Sequence, residues 1–544
     1  MRAHPSFRPT ASPILLASLL LAACGRSGSA PPSNPGFGGS IVAGLSEIGP
    51  LDPVHATSPA ALTILRTACD GLVGLDHKTG AAKPALASSW TLSDGARKLT
   101  VELRPGARFQ DGTAVTPAAI REALSRVARP SSSSPWASLV SRIEGFFEVE
   151  SGAATHLSGV HVMEDSSLAI TLREPFSDFA TVLAHPALVP VSLESLRNSP
   201  EGADLPVCSG PYRIERGTEE KDRRLGRVTG ARSHNEGYLD DGAGEAELIL
   251  IRSFDSAEDA YQAYRAGQVD IAQVPDSLAG EAQQAAGYRS EPTPGITFLG
   301  FDPANTQTSD PRLRQAISLS IGRLEIIDAA FGDQRTPATG WLPAGNSVTE
   351  GSECGSFIRR IADPQRAKQL FAGTGIDPPS FKLVLFYDGR VTGRLVAEAL
   401  ELQLEEVLGI DVQPQDLEGQ DLAAHILTRP AGPAAWLMSI TIDLPVQDEF
   451  VGSFRTGSAS NVLAFSDPQF DKRVDEARRA TTQANIARGY SLAESQLCSL
   501  MPAIPLWTGV SQWMFSPERV ELAGDAYLDS LGSPLLRHAR AAGG

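Results

Sequence analysis

Four of the five cysteines in this sequence could form cross-links or bind metal, depending on their spacing. Cys69, Cys208, Cys354 and Cys498 lie far apart, and none belongs to a Cys-x-x-Cys pair or to a Cys/His cluster with zinc spacing. In an oxidising compartment they could form two disulfides, for which three pairings exist. Alternatively, they could be four buried free thiols. The sequence leaves both interpretations open and predicts no metal site.

The sequence contains no recognisable catalytic motif. It has no HExxH, no Gly-x-Ser-x-Gly, no Walker loop and no Gly-x-Gly-x-x-Gly that opens a helix after a strand. His156 and His161 are five residues apart, which is a poor spacing for two metal ligands on one helix. We therefore interpret both as surface loop histidines, and we expect neither a cofactor nor enzymatic activity.

The fifth cysteine, Cys24, follows an export signal. A basic start precedes the apolar run 14–23, which has only ten residues, whereas a membrane-spanning helix needs about 20. Residues 21–24, Leu-Ala-Ala-Cys, resemble a bacterial lipobox, in which cleavage falls before the cysteine and its thiol receives a diacylglyceryl group. We expect residues 1–23 to be a lipoprotein signal peptide and Cys24 to be the lipidation site. The alternative is a chance cysteine after an ordinary signal peptide.

The next segment predicts a flexible tether. Residues 24–38 are rich in Gly, Ser and Pro, so they cannot bury much apolar surface. No later segment is apolar enough to span a bilayer. We therefore expect an exported, periplasmic or otherwise extracytoplasmic protein that is held at a bacterial membrane by lipid.

Length and charge narrow the class of protein. A chain of 544 residues is too long for one compact core, so we expect more than one lobe. Lys and Arg total 47 and Asp and Glu total 64, which gives a formal net charge of −17. An acidic surface repels nucleic acid, and no basic cluster provides an exception. The charge is typical of a soluble secreted protein.

Local signals predict a mixed α/β chain. Residues 90–93 and 99–103 flank an Asp-Gly pair at 94–95, which predicts a hairpin. Thr116 before a proline predicts the start of a helix.

Two further helices are predicted in the second half of the chain. Ser256 should cap a helix that Gly267 ends before a strand at 269–271. The clearest helix begins at Asp310 before a proline. Its core stripe consists of Leu313, Ala316, Ile317, Ser320, Ile321 and Leu324, with Arg312, Arg314 and Arg323 off that stripe.

Several segments together resemble a known family. Residues 83–90, Lys-Pro-Ala-Leu-Ala-Ser-Ser-Trp, and residues 103–112, Leu-Arg-Pro-Gly-Ala-Arg-Phe-Gln-Asp-Gly, resemble a signature of the large solute-binding proteins of peptide ABC importers, extracellular solute-binding protein family 5. Further similar segments lie before and after these two, in the family's order, at residues 51–53, 70–73, 115–116, 134–138, 172–175, 185–190, 209–212, 264–271, 310–316 and 501–506.

The resemblance implies an α/β fold of the type II periplasmic-binding-protein class. This is a two-lobed clamp with an additional domain, whose lobes are mixed β-sheets flanked by helices and close by a hinge. The implied boundaries are 39–67, 207–294 and 500–544 for the base lobe, 68–206 for the additional domain and 295–499 for the opposite lobe.

The resemblance also implies ligand-binding residues. In peptide-binding members an Asp pairs with the α-amine of the ligand, and Asp443 occupies that place, with Thr441 and Ile440 before it. A Trp normally stands where this chain has Ile440. Trp136 and Thr57 fall near positions that face the ligand in the oligopeptide-binding branch. Asp443 could instead be a solvated loop carboxylate, and Trp136 could be a core residue.

The implied function is an extracytoplasmic lipoprotein receptor that binds a peptide, or a similar amine-bearing solute, and delivers it to an ABC transporter. Its partners would be the solute, the permease subunits and, through its lipid, the membrane, and we expect a monomer. One alternative is the same receptor role for a non-peptide solute, such as an opine, a sugar or a metal chelate. Others are a non-transport peptide sensor or chaperone, and a secreted hydrolase.

Overall fold

The structure is a computed structural model of the chain. It describes residues 39–542 except 165, 199–204, 218–221, 228–243, 245, 333, 343–353, 389–390, 418–421, 429, 431, 443, 459 and 523–525. Cys24, the predicted signal peptide and the predicted tether therefore lie outside the described residues.

Short strands alternate with helices along the chain. In chain order the strands are β1 Ser40–Ser46, β2 Val73–Leu75, β3 Ala82–Pro84, β4 Ala87–Ser93, β5 Lys98–Leu103, β6 Val160–Glu164, β7 Ser167–Thr171, β8 Tyr212–Arg216, β9 Arg223–Arg227, β10 Leu248–Phe254, β11 Ile271–Gln273, β12 Tyr288–Pro292, β13 Gly295–Phe301, β14 Thr336–Pro337, β15 Lys382–Tyr387, β16 Asp411–Asp416, β17 Ala434–Thr441, β18 Ala503–Thr508, β19 Val510–Phe515, β20 Val520–Leu522 and β21 Ala539–Ala541.

The longer helices flank the sheets. Those of nine or more residues are Pro59–Ala68, Pro117–Ala128, Ala257–Arg265, Pro311–Ser320, Arg323–Phe331, Pro364–Ala372, Val391–Leu408, Pro468–Arg478 and Gln483–Leu500. The shorter ones are Ala137–Val140, Phe146–Glu150, Phe179–Val182, Leu193–Asn198, Ala279–Ala282, Cys354–Phe357, Leu422–Leu427 and Gln447–Phe450. No helix among the described residues combines the length and apolarity needed to cross a membrane.

Two large mixed sheets form the main bodies of the molecule. The seven-stranded sheet has the order β12-β19-β11-β1-β10-β9-β8, and β1 lies parallel to both β10 and β11. The six-stranded sheet has the order β14-β18-β13-β17-β15-β16, and β15 lies parallel to both neighbours. Each sheet packs on its own buried apolar core.

A smaller antiparallel sheet has the order β4-β5-β7-β6 and a third core. The predicted hairpin is confirmed, because β4 and β5 pair antiparallel around Asp94 and Gly95, which have φ angles of 50° and 56°. The last strand pair is Ser93 with Lys98, so the loop has four residues, and Ala96 is also in the left-handed region at a φ of 64°. We refer to this sheet and the helices packed on it as the small-sheet region.

The two large sheets are joined where the chain passes twice between them. β12 continues into β13, and β18 continues into β19, so the same two segments pair in both sheets. The Thr293 amide donates to the Gly509 carbonyl at 2.9 Å between the crossings. A Cβ on Gly509 would lie 2.7 Å from Thr293 Oγ1, so this close approach favours glycine. We call residues 292–295 and 508–510 the crossing.

The position of the crossing affects one predicted domain boundary, the one at residue 500. The predicted base lobe takes residues 500–544 as one unit, but β18 lies in the six-stranded sheet and β19 in the seven-stranded sheet. The domain boundaries as a set stay a prediction.

Two predicted helix starts are confirmed. The side chain of Thr116 accepts from the Ala119 amide at 3.3 Å, and that of Ser256 accepts from the Asp259 amide at 3.1 Å. The strand predicted at 269–271 begins two residues later, at Ile271. Asp270 instead uses its carboxylate to accept from the Val42 amide at 2.8 Å and from Arg519 at 2.6 Å.

The helix predicted from Asp310 is shorter than its apolar stripe. It ends at Ser320, Ile321 is extended, and a separate helix begins at Arg323. Arg314 and Arg323, which lie off the predicted core stripe, are 5% and 0% exposed. The Arg314 guanidinium donates to the Leu500 carbonyl at 2.7 Å, and that of Arg323 donates to the Pro505 carbonyl at 2.9 Å. Backbone carbonyls thus compensate these buried cations.

The structure resolves the cysteine alternatives in favour of disulfides. Cys69 bonds to Cys208, and Cys354 bonds to Cys498. The first closes the chain around most of the small-sheet region, and the second lies in the core beneath the six-stranded sheet.

Candidate functional site

The segment that carries three of the predicted ligand residues leaves the six-stranded sheet at the crossing. Ile440 pairs with Ile296 and Thr441 with Gly295 at the end of β17. The Ile442 amide then donates to the Pro294 carbonyl at 3.1 Å. Ile440 is half-buried and packs on the core of the six-stranded sheet. Asp443 lies outside the described residues.

The residues after Asp443 reach the small-sheet region. Leu444 and Val446 are 5% and 1% exposed and belong to the core beneath that sheet. A Cβ on Gly80 would lie 2.9 Å from Pro445, so the loop between β2 and β3 touches the same segment. The segment thus starts at the crossing and ends against a different unit of the fold.

Asp448 holds the segment 444–448 in place through a buried cluster of charged and polar side chains. Its carboxylate accepts two bonds of 2.8 Å from Arg478 and one of 3.1 Å from the Tyr490 hydroxyl. Arg142 of the small-sheet region lies 3.6 Å from the same carboxylate. Tyr490 and Asp448 are 0% and 4% exposed, so the cluster is largely removed from water.

A second carboxylate approaches this cluster from the small-sheet region. The Asp448 amide donates to Asp178 Oδ2 at 3.4 Å. Burial, and then the negative charge of Asp448, raise the pKa of Asp178 to about 7. Burial and Asp448 also raise the pKa of Glu449. Sequence reasoning missed this pair, because Asp178 and Asp448 are 270 residues apart.

The segment with Trp136 packs beside Thr57 at another contact of the small-sheet region. The Trp136 indole N–H donates to the Ala56 carbonyl at 2.8 Å, and the Ser134 hydroxyl donates to the Val54 carbonyl at 2.6 Å. Thr57 is exposed next to Ala56. The structure thus brings Trp136 and Thr57 into one neighbourhood.

Trp136 is half-buried and its indole N–H is already bonded, so only its ring could face a ligand. The ring centroid lies 4.4 Å from that of His185. Burial, and then the charge of Arg66, lower the pKa of His185 to about 3, so this imidazole is neutral. Trp436, four residues before Ile440, is fully buried and donates to His425 at 3.2 Å. Trp436 therefore does not replace the family's aromatic residue at Ile440.

A candidate ligand cavity that sequence reasoning missed lies at the ends of two parallel strands. β1 and β10 end at Ser46 and Phe254, and the next amide, that of Glu47, donates to the Phe254 carbonyl at 3.1 Å. Beside them is an open cavity of about 350 Å³, lined by Glu47, Ile48, Gly49, Arg223, Ser253, Phe254 and Asp255. Ligands of open α/β sheets bind at this end of parallel strands. The apolar run 41–45 followed by a Glu-Ile-Gly-Pro turn was the available signal.

The two histidines considered as metal ligands do not form a metal site with their neighbours. His156 is in a loop, as predicted, and lies 3.2 Å from Glu122. His161 was predicted in a loop but lies in β6, where the chain extends to pair with β7. Among the described residues, no three His, Cys, Asp or Glu side chains are grouped to hold a metal ion.

Comparison with known proteins shows the class of fold. Residues 81–461 match the family model described as bacterial extracellular solute-binding proteins, family 5 Middle. The glutathione-binding protein GsiB of Escherichia coli K12 is 24% identical over 479 residues, which cover 86% of this chain and 88% of GsiB. The probable deoxycholate-binding periplasmic protein YgiS of the same strain is 26% identical over 483 residues, covering 85% and 86%.

Solved structures agree with the sequence match. The unliganded open form of the periplasmic murein tripeptide binding protein MppA is 22% identical, with a TM-score of 0.82 over 93% of this chain and 98% of that one. A second structure of MppA, from Escherichia coli, is 21% identical, with a TM-score of 0.63 over 93% and 99%. The predicted fold class, a two-lobed clamp built on mixed sheets, is confirmed.

Proposed function

The chain belongs to the bacterial extracellular solute-binding proteins of family 5, and from this we propose that it is an extracytoplasmic receptor for a peptide or a similar amine-bearing solute. It would bind the solute between its two lobes and deliver it to the permease subunits of an ABC transporter as a monomer. The relatives GsiB and MppA, named for glutathione and a murein tripeptide, support a peptide-like ligand.

The crossing supports the proposal that the two lobes close on the solute by a hinge motion. Two continuous segments joined by the bond from Thr293 to Gly509 can bend with little loss of contact, since hinges are a few residues that absorb backbone rotation. β17 ends beside the crossing, so a ligand bound near Ile440 would touch the hinge and both sheets.

We assign Asp443 as the partner of the α-amine of the ligand, with Thr441 and Ile440 beside it. Closure would bury the ammonium group, and a buried cation needs a charged acceptor within hydrogen-bond reach. Asp443→Asn should therefore weaken binding of peptides by about 2–5 kcal/mol, roughly thirty- to several-thousand-fold. N-acetylated peptides should bind the unaltered protein poorly for the same reason.

The experiment is native mass spectrometry of the solute that copurifies with the protein, followed by calorimetry with that solute. Asp377→Asn, an exposed aspartate in the same part of the chain, serves as the matched control and should bind normally. If Asp443→Asn binds the copurified solute within about threefold of the unaltered protein, Asp443 is not the amine partner.

Solution scattering tests the closure of the two lobes. The radius of gyration should be smaller with solute, and an unchanged profile would contradict the clamp.

A non-peptide solute is the second candidate. Ile440 replaces an aromatic residue of the peptide-binding members, and the relative YgiS is named for deoxycholate. An opine, a sugar or a metal chelate in the same cleft would fit this difference. A copurified solute without an α-amine would favour this candidate and leave the receptor role intact. A protein without a cognate transporter would be a sensor or chaperone, and turnover of the solute would indicate a hydrolase.

We also propose that Cys24 is the lipid-bearing N-terminus of the mature protein. The apolar run, the Leu-Ala-Ala-Cys motif and the Gly/Ser/Pro segment support it. Protein from the native host should partition into detergent, and Cys24→Ser should give an unlipidated form. A native N-terminal peptide that begins before Cys24 and lacks lipid mass would contradict the anchor.

A further inference from the structure

The chain on either side of Asp443 is attached to two different parts of the fold. Before Asp443, the Ile442 amide donates to the Pro294 carbonyl of the crossing at 3.1 Å. After it, the side chains of Leu444 and Val446 are buried in the core of the small-sheet region. Both attachments begin one residue from Asp443 in the chain, so a change in either would alter the backbone that carries the proposed amine partner.

Asp178 supplies the polar part of the second attachment. It precedes the short helix Phe179–Val182, and its Oδ2 atom accepts from the Asp448 amide at 3.4 Å. This contact joins the small-sheet region to the end of the segment 444–448. The Asp178 side chain is only partly buried, so it can exchange a proton with water.

The cations near Asp178 are held by other carboxylates. Arg478 donates two bonds of 2.8 Å to Asp448, and Arg142 contacts Glu174 and lies 3.6 Å from Asp448. Within the described part of the chain, Asp178 forms no ion pair. The charged or titratable groups on the elements packed around it are Asp448, Glu449, Arg478, Tyr490, Arg142 and Glu174. With Asp178 included, carboxylates outnumber guanidinium groups, so a proton on Asp178 reduces an excess of negative charge.

The proton on Asp178 is exchanged near neutral pH. Burial, and then the negative charge of Asp448, favour the neutral form, and hydrogen bonds from the Asp448 and Gln447 amides oppose this only in part. The pKa of Asp178 is therefore about 7. Ionisation places a second negative charge beside Asp448 and weakens the contact between the segment 444–448 and the small-sheet region.

We propose that Asp178 is a positioning residue for solute binding: its protonated form holds the segment 444–448 against the small-sheet region and so keeps the adjoining ligand residues in place. This inference rests on the proposed function, because it takes Asp443 as a ligand residue. A binding segment that is already ordered loses less conformational freedom when the solute binds. The protonated protein should therefore bind more tightly, and affinity should fall as pH rises through about 7. By reciprocity, binding of the solute should favour protonation of Asp178.

The test is calorimetry between about pH 5.5 and pH 8.5 with two tripeptides, Ala-Ala-Ala and S-methylglutathione. Asp178→Asn keeps an oxygen that can accept from the Asp448 amide but carries no charge at any pH. Asp94→Asn is the matched control, because Asp94 is an exposed aspartate of the same region at a left-handed position that Asn tolerates.

The unaltered protein and Asp94→Asn should lose at least about fivefold more affinity across this range than Asp178→Asn. The α-amine of the peptide also loses its proton near pH 8, but this affects all three proteins alike. A purely structural role for Asp178 would change affinity by the same factor at every pH. Parallel pH profiles with normal binding would therefore overturn the proposal and leave the receptor role standing.

Hydrogen exchange without peptide tests the positioning step separately. At about pH 8, the amides of residues 444–451 should exchange faster in the unaltered protein and in Asp94→Asn than in Asp178→Asn. Equal exchange in the three proteins would show that Asp178 does not hold the segment, whether or not peptides bind. If neither tripeptide binds any of the three proteins at any pH, the proposed receptor role fails, and the role of Asp178 in binding fails with it.

Discussion

The small-sheet region meets the rest of the molecule through two contacts of different chemistry. In the first, which we call the base contact, residues 126–136 pack on residues 52–56 through an Arg126–Asp52 ion pair and side-chain bonds to backbone carbonyls. In the second, the loop contact, residues 444–448 bring two apolar side chains and a carboxylate against the region. The base contact pairs opposite charges, whereas the loop contact places Asp448 beside both Arg142 and a second carboxylate, Asp178.

The difference indicates which contact can change its strength. Donors and acceptors are satisfied in the base contact, so it should hold the small-sheet region at a fixed position. The loop contact weakens when Asp178 ionises, because its negative charge then lies beside the carboxylate of Asp448. It also carries the residues that directly follow Asp443. We infer that the adjustable contact is the one next to the proposed ligand.

The largest expected effect comes from breaking the loop contact at Asp448. Asp448→Asn removes the carboxylate from Arg478, whose side chain is 11% exposed, and leaves that cation without its ion pair. Breaking a buried pair in this way costs about 3–5 kcal/mol in the free energy of unfolding. Chemical denaturation measures it.

Asp475→Asn is the control for that variant. It breaks the Arg455–Asp475 pair, in which both side chains are about one-third exposed, at 32% and 28%. This change should cost less than about 1 kcal/mol. Equal losses in the two variants would mean that burial of Asp448 does not matter.

The next largest effect should come from removing the disulfide between Cys69 and Cys208, which closes the chain around most of the small-sheet region. Cys69 and Cys208 are 139 residues apart, so their bond restricts a long loop of the unfolded chain. Replacing both with Ala should lower the free energy of unfolding by about 2–4 kcal/mol. The Cys354–Cys498 bond spans 144 residues and should cost a similar amount.

Hydrogen exchange separates these two cysteine variants. Removing Cys69–Cys208 should raise exchange at the base contact, whereas removing Cys354–Cys498 should raise it beneath the six-stranded sheet. Uniform exchange across the chain in both variants would contradict a localised role for either disulfide.

A smaller effect appears in the pH dependence of the loop contact. The pKa of Asp178 is raised from 3.8 to about 7, so the folded chain holds this proton more tightly than the unfolded chain. The stabilisation it brings is complete below about pH 4 and is lost as pH rises through about 7. Asp178→Asn removes that titration.

The measurement is the melting temperature of both proteins between about pH 4 and pH 8. The unaltered protein should lose stability relative to Asp178→Asn as pH rises. The exposed Asp377→Asn should run parallel to the unaltered protein. Parallel curves for all three proteins would contradict the raised pKa of Asp178.

Sequence signals predicted those parts of the fold whose causes lie within a few residues. The hairpin at Asp94 and Gly95 and the helix start at Thr116 depend on neighbouring residues, and both are confirmed. The burial of Arg314 and Arg323 could not be predicted, because the carbonyls of Leu500 and Pro505 that accept from them are more than 180 residues away. No local pattern reports such a partner.

The residues of the candidate site also fall into two groups, those that a local sequence segment indicates and those that only the structure brings together. Asp443, Thr441 and Ile440 came from a family resemblance that spans a short segment, and the structure places the described members of that segment at the crossing. The carboxylates of Asp178 and Asp448 lie on chain segments that are 270 residues apart and meet only in three dimensions. Charge alone could not have paired them, because Asp and Glu together number 64.

The smallest effect tests whether the base contact also reaches the ligand. Trp136→Phe removes the indole N–H from the Ala56 carbonyl and keeps an aromatic ring near His185. The loss of one hydrogen bond should cost about 0.5–1.5 kcal/mol in the free energy of unfolding. Trp90→Phe, at a half-buried tryptophan of β4, is the control for ring size alone. Calorimetry with the copurified solute then distinguishes the two interpretations of Trp136. A change in stability without a change in affinity assigns it to the core and the base contact. A loss of affinity as well would mean that the fixed contact lines the cleft, so that the ligand touches both contacts of the small-sheet region and not the loop contact alone.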